Sequence, residues 1–220
     1  MPHIAHEVRA QVRKGLTSAQ LLQRQESAAG ESAARHLQAI IESQTTLNRF
    51  LTRLTTLLNA SSQRHPPSSP NLKIPLKGAI LGAKLDCREA LRDAGAEMVI
   101  GEIPAALVPQ RVQTVMAELI DNSVRYRHPE RSPRVTVTST EQSGRIEVQV
   151  VDNGMGIPAP YDENLFQPFL RLDPERSGFG LGLTISRVIL ENAGGGIQYM
   201  RPDSGAIFVF QLPAGNAAGK

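Results

Sequence analysis

ELIDNSVRYR, at residues 118–127, is followed along the chain by two glycine-rich stretches, DNGMGI at 152–157 and GFGLGL at 178–183. In the first stretch a carboxylate, an amide and a guanidinium follow one another at spacings of four and three residues, which places them on one face of a helix. Glycine-rich turns let backbone amides approach a ligand closely, and a helix that begins at such a turn can bind phosphate. Each glycine stretch alone is compatible with an ordinary turn, but the combination predicts a ligand site.

The polar face of the first stretch consists of Glu118, Asn122 and Arg125. A carboxylate, an amide oxygen and a cation on one face suit a hydrated Mg²⁺ and a polyphosphate. The alternative is a solvated helix face with local ion pairs. Val115 and Leu119 argue against pure solvent exposure, because these apolar neighbours place the helix against a core.

The sequence from residue 72 onward alternates between helical and extended patterns. We expect helices at 84–94, 109–126 and 181–192, and strands at 74–76, 97–103, 134–140, 145–151, 197–200 and 206–212. Most of these strands follow one another as hairpins, with helices between some of them. The pattern predicts an α+β sandwich, with helices layered on one face of a mixed β-sheet.

The first part of the chain, residues 3–62, has the periodicity of two amphipathic helices. Apolar or small residues recur every three or four positions on both sides of Gly30, which is the expected turn of an α-helical hairpin. Two such helices cannot bury both apolar stripes alone, so we expect a homodimer in which two hairpins form a four-helix bundle. A monomeric hairpin packed on the rest of the chain is the alternative.

The segment QRHPPSSPN, at residues 63–71, separates the two patterns. Its three prolines cannot continue a helix, so it is typical of a linker between domains. We therefore expect a hairpin domain at 1–62, a linker at 63–71, an α+β domain at 72–213 and a tail at 214–220.

The composition of the 220-residue chain excludes several classes of protein. The single cysteine, Cys87, rules out an intramolecular disulfide and a cysteine-ligated zinc cluster. The net charge of +3 is too small to indicate a nucleic-acid partner, and there is no Trp for base stacking. No apolar run approaches the ~20 residues of a membrane span. We therefore expect a soluble, cytoplasmic chain with no nucleic acid and no membrane among its partners.

The stretches quoted above, in this order and spacing, resemble the nucleotide-binding boxes of sensor histidine kinases. These enzymes share an ATPase superfamily with gyrase, the Hsp90 chaperone and the MutL repair protein. ELIDNSVRYR is similar to the N box, the two glycine stretches to the two glycine boxes, and LFQPF at 165–169 to the F box. The resemblance covers about residues 72–213, and RYRHPE with LFQPFLRL most resembles kinases of bacteriophytochrome type.

The resemblance implies an ATP site with Mg²⁺. Asp152 is expected to accept a hydrogen bond from the adenine amino group, Asn122 to bind Mg²⁺, and Glu118 to hold a Mg²⁺-bound water as a catalytic residue. The other positions implied to line the ATP site are Arg125, Tyr126, Gly154, Gly156, Ile157, Phe166, Gly178, Phe179, Gly180, Leu181 and Gly182. Residues 158–177 are similar to a short ATP lid. Phe179 departs from the family, which commonly has a small hydroxyl residue there; its ring could weaken the phosphate contact or pack under the lid.

The segment HEVR, at residues 6–9, resembles the phosphoacceptor motif of the same kinases. At about 100° per residue, His6 points away from the apolar stripe of its helix, so its imidazole is expected to be exposed. The resemblance makes His6 the phosphoacceptor, Glu7 the general base and Arg9 a phosphate contact. The alternative is an ordinary surface histidine near a terminus.

The two positions after this motif depart from the family. Ala10 replaces the Thr or Asn that positions water for dephosphorylation of the partner, and an alanine cannot orient water. Gln11 replaces a proline that often bends the helix. We expect a straighter helix and weak or absent phosphatase activity.

The sequence thus favours a histidine kinase core that autophosphorylates His6 from Mg-ATP and passes the phosphoryl group to an Asp of a response regulator receiver domain. One alternative is a non-catalytic ATP-binding scaffold that dimerises and docks a signalling partner. Another is an ATP-hydrolysing switch, which the absence of a transducer segment after residue 213 disfavours.

Overall fold

The computed structural model describes residues 12–21, 31–61, 72–173, 176 and 178–215. The chain divides into two compact units, Met1–Thr56 and Leu57–Lys220. The segment around His6 and the turn predicted at Gly30 lie outside the described residues.

The described residues of the first unit are helical, as the periodicity predicts. Helix α1 covers 12–21 within the described residues, and α2 runs over Glu31–Ser61, with its last turn in the second unit. The two helices meet closely at Gly15. A Cβ on Gly15 would lie 3.2 Å from Gln44 Nε2 and 3.4 Å from Ser43 Oγ. Ser43 is accordingly only 1% exposed. A close contact between the helices thus depends on the absence of a side chain at Gly15.

The second unit contains seven strands and four helices within the described residues. The strands are β1 (Lys73–Pro75), β2 (Glu97–Ile100), β3 (Leu107–Pro109), β4 (Arg134–Gln142), β5 (Arg145–Asp152), β6 (Gly196–Met200) and β7 (Ala206–Pro213). The helices are α3 (Leu76–Asp86), α4 (Arg88–Asp93), α5 (Val112–Arg125) and α6 (Gly182–Asn192), and a 3-10 helix covers Ala159–Asn164.

Strands β2, β4, β5, β7 and β6 form a five-stranded mixed sheet in that order. The β2–β4 pair is parallel, and the other pairs are antiparallel, with Asp152 at the end of β5 opposite Val135 on one side and Ala206 on the other. Strands β1 and β3 form a separate antiparallel pair. The register places the carboxyl end of β5, where the first glycine stretch begins, beside the start of β7.

The core lies between the sheet and the helices. Buried residues alternate along the strands, as a sheet with one covered face requires. They include Val135, Val137, Ile146, Val148, Val150, Phe208, Phe210 and Leu212 from the sheet, and Val115, Met116, Leu119, Ile120, Ile185 and Leu190 from α5 and α6. This arrangement confirms the predicted α+β sandwich.

Three expected elements differ from the structure by three residues or more at one end. The strand expected at 97–103 ends at Ile100. The helix expected at 84–94 begins much earlier, as α3 at Leu76, and is interrupted at Cys87 before α4. Pro109, expected in the first turn of a helix, instead ends β3 opposite Lys73, and α5 begins at Val112. Because proline has no amide hydrogen, it is tolerated at the end of such an edge pairing.

Candidate functional site

The end of α5 and the first glycine stretch meet through backbone atoms. The amide of Met155 donates to the carbonyl of Tyr126, the residue that ends α5, at 2.9 Å. A Cβ on Gly154 would lie 2.6 Å from that carbonyl oxygen and 3.0 Å from Asp152 Oδ1. Only glycine permits this approach, so the glycine stretch brings Asp152 and the end of α5 into one site.

Asp152 is held by three hydrogen bonds from three different segments. Its Oδ1 accepts from the amides of Gly154 at 2.9 Å and Ala206 at 3.1 Å. Its Oδ2 accepts from the hydroxyl of Ser123, on α5, at 3.0 Å. A carboxylate has about four acceptor positions. Oδ1 therefore has its two positions filled by backbone amides, and Oδ2 keeps one for a ligand.

The pKa of Asp152 is raised above its ordinary value of 3.8, mainly because burial disfavours the charged form. The hydrogen bonds from Gly154, Ser123 and Ala206 act in the opposite direction and lower that pKa. A half-buried carboxylate stabilised by donors in this way is a suitable acceptor for a polar group of a bound ligand.

The predicted polar face of α5 is present in the structure. Glu118, Asn122 and Arg125 are all partly exposed, whereas Leu119 between them is fully buried. The guanidinium of Arg125 forms an ion pair with Asp121 one turn earlier. The structure therefore combines both interpretations of this face: a local ion pair holds Arg125, and the carboxylate and amide remain on the same side of the helix.

The second glycine stretch lies beside the end of α5. A Cβ on Gly178 would overlap the guanidinium of Arg125, so the two segments are in close contact there. Gly180 has a φ of +64°, and a Cβ on it would overlap the carbonyl of Leu170. The amide of Phe169 donates to the Gly180 carbonyl at 2.8 Å, which fixes this approach.

Helix α6 begins directly after this turn, at Gly182, and no side chain caps its first turn. The amides at the start of a helix are available to an anion, and the helix dipole favours negative charge there. Leu181 is 1% exposed, so its side chain packs in the core. Phe179 is half-buried.

Gly156, Ile157 and Phe166, which were also predicted at the site, have contacts of their own. Gly156 has a φ of +72° and approaches the Gly205 carbonyl, and the Ile157 carbonyl accepts from Arg201 at 2.7 Å. Phe166 lines a cleft of about 460 Å³ between the 3-10 helix, α6 and β6, which Asp152 does not line. The structure thus brings together α5 and both glycine stretches, and the Phe166 carbonyl accepts from the Thr184 hydroxyl on α6 at 3.0 Å.

Two residues of the site were not predicted from the sequence. Ser123 follows Asn122 directly, yet its contact with Asp152 is visible only in the fold. The guanidinium of Arg176 lies 5.7 Å from the centre of the Tyr126 ring and donates to Met155 Sδ at 3.0 Å. Arg176 lies within the stretch 158–177 predicted as the lid, but no motif singled it out.

The donor set fits Mg²⁺ bound together with phosphate. Among the residues that the structure describes, no group of three or more His, Cys, Asp or Glu side chains is placed to hold a metal ion. Mg²⁺ keeps several waters and takes one or two protein oxygens plus substrate phosphates, so Asn122 and Glu118 suffice for such a shared site. A nucleotide fits on the same grounds: Asp152 offers an acceptor, and the start of α6 offers amides to phosphate.

The fold and the site together define an ATPase-type α+β domain. Residues 107–216 match the family described as histidine kinase-, DNA gyrase B-, and HSP90-like ATPase. The chain therefore belongs to the histidine kinase-, DNA gyrase B- and HSP90-like ATPase family, and its kinase relatives identify it as a sensor histidine kinase core with an ATP-binding catalytic domain.

Curated relatives are similar over part of their length. The phytochrome-like protein Cph1 of Synechocystis is 31% identical over 138 residues, 61% of this chain and 18% of that protein. The adaptive-response sensory kinase SasA of Parasynechococcus marenigrum is 30% identical over 176 residues, 77% of this chain and 43% of that protein. The chain thus spans less than half the length of these two relatives.

Solved structures share the fold. The histidine kinase AdeS of Acinetobacter baumannii superimposes with a TM-score of 0.73 at 22% identity, covering 96% of this chain and 98% of that one. The histidine kinase ThkA, solved in complex with the response regulator protein TrrA, gives a TM-score of 0.73 at 20% identity, covering 97% of this chain and 60% of that one. Of the helices described for this chain, none is both long and apolar enough to cross a membrane.

Proposed function

We propose that the chain is the cytoplasmic kinase core of a two-component system. It binds Mg-ATP around Asp152, transfers the γ-phosphoryl group to His6, and passes that group to an aspartate of a response regulator. The similarity to kinases supports the class of reaction, and the solved complex of ThkA with TrrA supports a regulator as the kind of partner.

The observation that carries the proposal is the cradle around Asp152. The half-buried carboxylate of Asp152 keeps one acceptor position on Oδ2. Beside it, the backbone at position 154 lies so close to the Tyr126 carbonyl that only a glycine fits there. An exocyclic amine of a purine is a donor suited to that position. The phosphates would then extend along the Glu118 and Asn122 face of α5 towards the start of α6.

Phosphoryl transfer needs a nucleophile and positioning more than it needs covalent help from the protein. The neutral imidazole of His6 would attack the γ-phosphorus, with Glu7 accepting its proton, Arg9 contacting phosphate, and ADP leaving. Mg²⁺, held by Asn122 and through water by Glu118, would neutralise charge on the phosphates. Because Ala10 has no hydrogen-bonding side chain, we also propose weak phosphatase activity towards the regulator.

Incubation of the chain with γ-labelled ATP and Mg²⁺ tests the proposal. We expect an acid-labile, base-stable label on the wild type and no label on His6→Gln. His36→Gln is the matched control, because His36 lies on α2 of the same helical unit and should leave the label unchanged. Equal labelling of His6→Gln and the wild type, or no label on a wild type that binds ATP, would contradict the kinase assignment.

The helical unit also supports a homodimer. Leu37 is 53% exposed, Ile41 51% and Leu51 45%, and their spacing places all three on one face of α2. A soluble helix rarely leaves such a stripe uncovered, and a second hairpin would complete a four-helix bundle. We propose that this face is the dimer interface.

Leu37→Glu combined with Ile41→Glu should raise the dimer dissociation constant at least about 100-fold, because symmetry places four charges in an apolar interface. Sedimentation equilibrium measures the change. Gln38→Glu adds one negative charge per protomer, half of what the double variant adds, at an exposed position about 100° around the helix from Leu37, and should leave the dimer intact. A wild type that is monomeric at all concentrations, or a dimer that survives both glutamates, would contradict this interface.

A further inference from the structure

Ser123 is a buried serine with two acceptors in reach. Its side chain is 5% exposed, and its hydroxyl oxygen lies 3.0 Å from Asp152 Oδ2 and 3.0 Å from the Leu119 carbonyl. A hydroxyl has a single hydrogen, so it donates to one of these acceptors at a time. An ionised carboxylate is the stronger acceptor, so the hydrogen goes to Asp152 whenever that residue is charged.

We infer that Ser123 is a positioning residue that holds the Asp152 carboxylate in one orientation, with the free acceptor position of Oδ2 presented to an exocyclic amine of the nucleobase. The inference rests on the proposed ATP site and adds to it the residue that orients its base-recognising acid. Gly154 and Ala206 fix Oδ1 from the backbone. Ser123 is the side chain among the described residues that fixes Oδ2.

The charge state of Asp152 supports the same role. Burial raises its pKa, and the hydrogen bond from Ser123 lowers it. No charged side chain in the described residues alters that pKa, so α5 and β7 act on it only through Ser123 and the Ala206 amide. The pKa of Tyr199, on β6, is raised mainly by burial and also by the charges of Asp162 and Asp152, so its phenol stays neutral below pH 8.5.

The pH dependence follows from these directions. A neutral Asp152 carries a hydrogen on its carboxyl group and presents a poorer acceptor, so affinity for an amine-bearing base falls as the pH drops through the pKa of Asp152. Removing the Ser123 hydroxyl raises that pKa further. The fall in affinity should therefore begin at a higher pH in Ser123→Ala than in the wild type.

The test measures dissociation constants of the full chain between pH 5.5 and 8.5 for ATP and for purine riboside triphosphate, which lacks the exocyclic amine. We expect Ser123→Ala to weaken ATP binding about 10-fold, with a larger loss at low pH, and to change binding of the analogue less than about twofold. Ser139→Ala is the matched control, because Ser139 is a buried serine whose hydroxyl donates only to a backbone carbonyl, that of Glu147.

Equal weakening of both nucleotides by Ser123→Ala, or unchanged ATP binding across the pH range, would overturn the inference. If Ser123→Ala melts far below the Ser139→Ala control, Ser123→Cys replaces it as a weaker donor of similar size, with the same expected outcomes. A wild type that binds neither nucleotide overturns the proposed ATP site itself. A wild type that binds both equally well leaves the ATP site in place but overturns the inference, because the exocyclic amine is then not recognised.

Discussion

Asp152→Asn is expected to raise the dissociation constant for ATP at least about 100-fold while the chain stays folded. A site built around a hydrogen bond to a substrate group discriminates by this order or more when the bond cannot form. The asparagine Oδ1 can still accept from Gly154 and Ala206, which leaves the amide nitrogen at the position of Oδ2. That nitrogen can donate to Ser123, whose hydroxyl then donates to the Leu119 carbonyl.

The same geometry explains why binding is lost. The second hydrogen of the asparagine amide points to the position that the nucleobase amine would occupy, so two donors face each other. The fold loses no hydrogen bond, but the ligand loses its acceptor. Asp93→Asn is the control, because Asp93 is an exposed carboxylate on α4 that pairs with Arg92 outside this site and should leave ATP binding within twofold.

Stability should change in the opposite direction from binding. Burial raises the pKa of Asp152 in the folded chain, so its charge destabilises the folded state at neutral pH. This destabilisation is lost as the pH falls through that pKa and the carboxylate takes up a proton. A neutral asparagine removes this cost. Thermal melts should give Asp152→Asn an equal or higher melting temperature at pH 7–8, with the difference narrowing towards pH 4. ATP binding within tenfold of the wild type, or a much lower melting temperature, would contradict the claim that Asp152 Oδ2 accepts a hydrogen bond from the nucleobase.

Gly180→Ala should weaken ATP binding at least about 30-fold, or roughly 2 kcal/mol. Gly180 has a φ of +64°, and a Cβ there would overlap the Leu170 carbonyl and lie 2.7 Å from the Phe169 carbonyl carbon. The Phe169 amide is hydrogen-bonded to Gly180, so the two segments cannot separate without losing that bond. The turn that leads into α6 must therefore move, and with it the amides that face the phosphates.

Gly144→Ala separates this effect from backbone strain alone. Gly144 also has a positive φ, of +72°, but nothing lies within 4 Å of its Cβ position. Its substitution should cost about 1–2 kcal/mol of stability through strain and leave ATP affinity unchanged. Calorimetric titration of both variants makes the comparison. If Gly180→Ala binds ATP as Gly144→Ala does, the second glycine stretch is not part of the nucleotide site.

The elements that were predicted well have strong local signals. Helix α5 and strands β4 and β5 have clear periodicities, and their bounds differ from expectation by few residues. Helix α3 was mostly missed, because Gly78 and Gly82 weaken its helical pattern. Gly82 has a tertiary reason, since a Cβ there would lie 2.7 Å from the side chain of Gln113 on α5.

The residues of the site also fall into two groups, those that sequence motifs predict and those that only the fold brings to the site. Asp152, Gly154 and Gly180 belong to sequence motifs, and the structure gives each a physical role. The partners of Asp152 could not be predicted, because Ser123 and Ala206 are 29 and 54 positions away and only the fold brings them to one carboxylate. The role predicted for Phe166 stays a prediction; its carbonyl accepts from the Thr184 hydroxyl on α6 at 3.0 Å, a contact that the sequence does not reveal.

The central claim is that the nucleotide lies between α5 and the two glycine stretches, and amide hydrogen exchange with and without ADP and Mg²⁺ tests it most directly. We predict slower exchange at residues 118–126, 152–157 and 178–182, with little change in α3, α4 and the β1–β3 pair. Slower exchange confined to the other cleft, at Asp162, Phe166 and Tyr199, would contradict the claim and place the ligand beside β6.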